Sequence, residues 1–75
     1  MTEVYIYFDY EEYGYKPGDI VKCELLGRDD KGVHVSMLSG REHRESLNAW
    51  SDLAGFHELN EMEVIAHAVA GTSFL

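Results

Sequence analysis

Basic residues are missing from both ends of this 75-residue chain: no lysine or arginine occurs in residues 1–15 or 45–75, and all six lie between. Affinity for phosphate comes mainly from displacing counterions with Lys and Arg, so a chain of net charge −8 lacks the surface of a general nucleic-acid binder. Cysteine is almost absent as well. Cys23 stands alone, which excludes an internal disulfide and a Cys-x-x-Cys metal site, and its apolar alternation reads as a small buried hydrophobe. No apolar run nears the roughly 20 residues that span a bilayer, and MTEVYIYFDY lacks the basic region of a signal peptide. The expectation is a soluble, cytoplasmic protein with no membrane contact. Proline occurs once and no low-complexity run is present, which excludes a disordered chain. The length allows a single domain over residues 1–75, without a second lobe to enclose a substrate.

Acid and tyrosine fill the space that the bases leave. The stretch VYIYFDYEEYGY, residues 4–15, holds every tyrosine of the chain together with Asp9, Glu11 and Glu12. Excess negative charge maintains solubility, and it also attracts a basic partner. Tyrosine supplies large, fairly rigid contact area with a polar tip and is enriched at protein interfaces.

The pattern is mainly that of strands. Val4, Ile6 and Phe8 alternate with Tyr5, Tyr7 and Asp9, predicting a strand over residues 3–10 with the first set in the core and Tyr5 and Tyr7 displayed. Lys16-Pro17-Gly18-Asp19 has the composition of a tight turn. Val21, Cys23 and Leu25 alternate with Lys22 and Glu24, and Val33, Val35 and Met37 alternate with His34 and Ser36. With the polar turn 28–32 between them, residues 20–38 read as an antiparallel hairpin with one wet face. SGREHRES reads as an exposed loop. Leu47, Trp50 and Leu53 recur at helical spacing, Ser46 can cap and Gly55 can terminate, which predicts a short helix over residues 47–54 with Trp50 buried or half-buried. Residues 61–70 carry two signals. Asn60-Glu61-Met62-Glu63 resembles a capping box and the alanines favour a helix, yet Met62, Val64, Ala66 and Ala68 also alternate as in a strand. The fold class is mainly β, a single small barrel with one or two short helices.

The hairpin resembles a known family. YKPGDIVKCELLGRDDKGVHVSM is similar to the opening of an S1-type domain, the RNA-binding variety of the OB barrel, and MEVIAHAVAG is similar to that family's late strand. The resemblance implies His34 as a base-stacking residue flanked by Lys22 and Arg28. GREHRES departs from the family, being wholly polar where an apolar strand is usual, and the strand VYIYFDY is additional. A P-G-D turn before a hairpin also opens many SH3-like barrels, so both barrel types stay open.

Catalytic patterns are absent. The four histidines lack HxH or HExxH spacing, no GxGxxG or GxxxxGK[ST] loop cradles phosphate, and no serine lies in GxSxG. The expectation is a non-enzymatic module without metal or cofactor. Its acidic tyrosine surface (Tyr5, Tyr7, Asp9, Tyr10, Glu11, Glu12, Tyr13 and Tyr15) would engage a basic protein surface, as small viral inhibitors of nucleic-acid-handling enzymes do. An exposed N-terminal strand would also allow a homodimer by edge pairing. The alternative is an S1-like binder of RNA or single-stranded DNA using Lys22, Arg28, His34, Arg41 and Arg44.

Overall fold

The computed structural model describes residues 2–40 and 45–75. These form five antiparallel strands and one short helix: β1 (Glu3–Phe8), β2 (Ile20–Arg28), β3 (Val33–Leu38), β4 (Ser46–Trp50), β5 (Phe56–Glu58) and α1 (Glu61–Val69). The strands make one curled sheet, a half-barrel in the order β4-β3-β2-β1-β5.

Alternation accounts for the core. Val4, Ile6 and Phe8 of β1, Val21 and Cys23 of β2, and Val33, Val35 and Met37 of β3 are all buried on the concave face. Their neighbours Tyr5, Tyr7 and His34 lie half-buried on the other face. The register pairs Ile6 with Val21 and Leu25 with Val35, then slips between Leu25 and Gly27, leaving Leu26 as a bulge. A bulge adds local twist, which lets a five-stranded sheet curl around so few core residues. The hairpin is closed as its turn chemistry dictates. The Asp29 N–H donates to Gly32 O at 3.0 Å, and Asp29 Oδ1 accepts from the N–H groups of Lys31 and Gly32. At Lys16-Pro17-Gly18-Asp19 the Asp19 N–H donates to Lys16 O at 3.0 Å.

β1 stops at Phe8 rather than reaching residue 10, because the N–H groups of Asp9 and Tyr10 both turn to Gly55 O. It is also an interior strand. β2 pairs along one side and β5 along the other, with Ile6 opposite Glu58 and Phe8 opposite Phe56. The free edge assumed for a homodimer through the N-terminal strand is thus occupied by β5 over Ile6–Phe8.

The helix expected over residues 47–54 is instead β4 followed by a turn. Its three marker residues separate: Leu47 packs on the core, Trp50 lies on the outer face against His34, and Leu53 is 83% exposed. β4 lies along β3 from Leu38↔Ser46 to His34↔Trp50, and that ladder overrides a weak helical spacing. Trp50 is half-buried, as expected.

Residues 61–70 resolve toward the helix. Asn60 Oδ1 accepts from the Glu63 N–H at 2.9 Å, while Glu63 Oε1 accepts from the Asn60 N–H at 3.0 Å, a complete capping box. No residue of α1 is fully buried, so the cap carries much of its stability. Asn60→Ala is expected to cost about 1 kcal/mol. Amide exchange over Val64–His67 should then rise about fivefold with little change in the global unfolding midpoint, as hydrogen-exchange NMR would read.

Candidate functional site

The acidic tyrosine segment divides by position. Tyr15 belongs to the core: its ring stacks on Phe8 with centroids 5.0 Å apart, and its hydroxyl donates to Leu38 O at 2.6 Å. It leaves the expected partner-binding set because the loop folds inward there. Glu12 and Tyr15 exchange backbone hydrogen bonds of 3.1 and 2.8 Å around a two-residue turn. Tyr13 and Gly14 in that turn have φ of 52° and 82°, the two positive values of a type I′ turn. A Cβ on Gly14 would stand 2.9 Å from the Gly40 Cα, so only glycine permits this approach. Tyr13 is half-buried against the core.

The rest of the segment faces outward to different degrees. Tyr5 lies against Phe74 at 5.1 Å between ring centroids, and Tyr7 lies between His57 and His67 at 5.3 and 6.1 Å. Both tyrosines are thus half-covered by the chain that follows β5. Phe74 is held there by its neighbour: the Leu75 N–H donates to Ile20 O, and Leu75 O accepts from the Lys22 N–H. Asp9, Tyr10 and Glu11 are exposed and Glu12 is half-buried beside them. Tyr10 is 70% exposed, with the base of its side chain resting over Gly55, where a Cβ would meet Tyr10 Cδ2 at 2.7 Å. The Asp9 carboxylate meets His57 Nδ1 at 2.7 Å, joining the start of the loop to β5. The result is a tip of Asp9, Tyr10, Glu11 and Glu12, anchored beneath by Tyr15 and at its side by the 51–55 turn.

Of the residues of the nucleic-acid alternative, Lys22, Arg28 and His34 are described, and each of the two cations among them lies beside a glutamate. Lys22 pairs with Glu3 at 3.5 Å, and Arg28 pairs with Glu58 at 2.5 Å. His34 lies on the outer face, stacked on Trp50 with centroids 4.4 Å apart and planes within 5°. Arg41 and Arg44 fall outside the described residues. Trp50 was missing from the expected set because a helical placement hid it from His34, and its neighbours Asn48, Ala49, Ser51 and Asp52 carry no strand signal. His57, His67 and Phe74 were missed for another reason, since nothing local signals that they flank Tyr5 and Tyr7.

Among the described residues no group of three or more His, Cys, Asp or Glu side chains is placed to hold a metal ion. Cys23 is buried, and burial pushes its thiol from 9.0 up to about 12. The folded state therefore favours the protonated thiol, so the stability this group lends is full below pH 9.0 and is lost as pH rises toward 12. Labelling by a thiol reagent at about pH 8 is expected to be negligible in the native protein and to track urea unfolding. Rapid native labelling would contradict that burial.

No protein-family model matches the chain, and neither a curated protein nor a solved structure matches it.

Proposed function

We propose that the protein is a small non-enzymatic binding module whose acidic tyrosine tip engages a basic surface of a protein partner, regulating that partner by occupying a nucleic-acid-binding site. One observation carries this reading: Tyr10, 70% exposed, stands between Asp9 and Glu11 on a loop held by a type I′ turn and the Phe8–Tyr15 stack. An anchored aromatic with carboxylates on both sides presents contact area and charge without much ordering entropy on binding. The strand order supports the same direction. A Greek-key OB barrel returns its fourth strand beside the first, whereas here β4 stays beside β3 and β5 comes beside β1, an arrangement that favours an SH3-like barrel.

A second reading, single-stranded nucleic-acid binding, draws on the stacked His34–Trp50 pair, since bases stack on such platforms. Its electrostatics are weaker, because Lys22 and Arg28 are each neutralised by a glutamate. Fluorescence titration at low salt with an arginine-rich peptide and with a single-stranded oligonucleotide separates the two. Peptide affinity should fall with added salt and fall about tenfold on Glu11→Lys/Glu12→Lys, but much less on Glu24→Lys/Asp30→Lys. An oligonucleotide that binds more tightly than the peptide would sink the proposal.

A further inference from the structure

At the other end of β1 from the tyrosine tip, an open groove of about 360 Å³ runs between α1 and the first residues of β1. Val4, Leu59, Val64 and Ile65 give it an apolar floor and wall. Glu3, Glu58 and Glu61 stand around it with Arg28; Arg28 pairs with Glu58 and Lys22 pairs with Glu3, which leaves Glu61 as the carboxylate of the rim without an ion pair among the described residues. Its volume falls within the roughly 300–1,000 Å³ of binding pockets. The apolar surface continues beyond the groove. Met62, Ile65 and Val69 of α1 are 79, 55 and 84% exposed. The spacing of three and four residues puts them along one side of the helix, and Ile65 belongs both to that stripe and to the groove wall. A surface helix ordinarily turns its polar face outward; this one turns out an apolar stripe while Val64 and His67 face the sheet.

We infer that this groove and the adjoining stripe of α1 form a second contact site, which takes an apolar side chain from a cationic amphipathic segment of a protein. Charge complementarity selects that occupant. An anionic membrane or a nucleic acid would be repelled by Glu61 and by the net charge of −8, and a second copy would bring together two chains of that charge. A segment with lysine or arginine on either side of an apolar anchor satisfies both the floor and the rim. The inference rests on the reading that the partner is a cationic protein, but its site is separate. The five residue steps of β1 place it about 17 Å from the tip.

The test is a ¹⁵N chemical-shift titration of the whole chain with a leucine/lysine amphipathic peptide, an oligolysine without leucine, and a leucine/glutamate peptide. The leucine/lysine peptide should shift amides of Val4, Leu59, Val64 and Ile65, and bind at least tenfold more tightly than either control. Met62→Gln/Ile65→Gln alters only exposed side chains and keeps good helix formers, so the fold should persist while affinity drops about tenfold or more. Shifts confined to residues 9–12, or affinity unchanged in that variant, would overturn the groove site and leave the tyrosine tip standing. Equal binding of oligolysine, or no binding of the leucine/lysine peptide, would also overturn it; the arginine-rich peptide judges the tip separately. Concentration-dependent dimerisation abolished by the same variant would assign the stripe to a second copy instead.

Discussion

Phe8→Ala is expected to cost about 3–5 kcal/mol of folding stability. Phe8 is fully enclosed, with its ring 5.0 Å from that of Tyr15 and 5.4 Å from that of Phe56. Its backbone fixes the same junction: its N–H donates to Asp19 O, and its carbonyl accepts from the Gly18 N–H. Truncation therefore opens a cavity where β1, β5 and the 9–19 loop meet, and the backbone bonds hinder collapse around it. A chain of 75 residues has about 4–11 kcal/mol in total at typical values per residue. The variant should sit near the edge of folding at 25 °C, with its urea midpoint lowered by half or more and the slope little changed. A loss below about 1 kcal/mol would mean that Phe8 is not enclosed as described.

Tyr10→Ala should do the reverse, leaving the fold nearly intact and removing binding. The side chain is 70% exposed and its contact with Gly55 is peripheral, so the thermal midpoint should move by only a few degrees. Affinity for a cationic partner or an arginine-rich peptide should fall about 30-fold, the size of a hot-spot loss of about 2 kcal/mol. Tyr10→Phe should retain most of the affinity if ring area and stacking on guanidinium carry the contact. Calorimetric titration beside thermal unfolding separates the effects. A variant that unfolds readily but binds normally would place Tyr10 with Tyr15, in the fold rather than at the contact surface.

Local chemistry explains which parts of this architecture were readable in the sequence. β1 and the β2–β3 hairpin follow from alternation of apolar residues, broken only where Leu26 bulges and where Ile20 and Val21 are both buried, and the turns at Pro17-Gly18 and Asp29–Gly32 from residues that bond to their own backbone. α1 was legible in its capping box, while its alternating apolar residues argued for a strand that would have needed a partner. β4 misled because Leu47, Trp50 and Leu53 mimic a helical face across a strand and a turn, and only pairing with β3 decides between them. The candidate surface was legible in composition but not in depth. Tyr15 and Tyr10 are both tyrosines of one acidic stretch, and what separates them is long-range: the Leu38 carbonyl and the Phe8 ring draw one inward, while Gly55 supports the other from below.

Contact through the tyrosine tip is tested most directly by titrating ¹⁵N-labelled protein with an arginine-rich peptide and following each backbone amide. The expected result is saturable shifts concentrated at Asp9, Tyr10, Glu11 and Glu12 and in the adjoining 51–55 turn, with affinity falling steeply as salt is added. Shifts centred on His34 and Trp50, produced more strongly by an oligonucleotide than by the peptide, would contradict it, as would no shift at the tip at all.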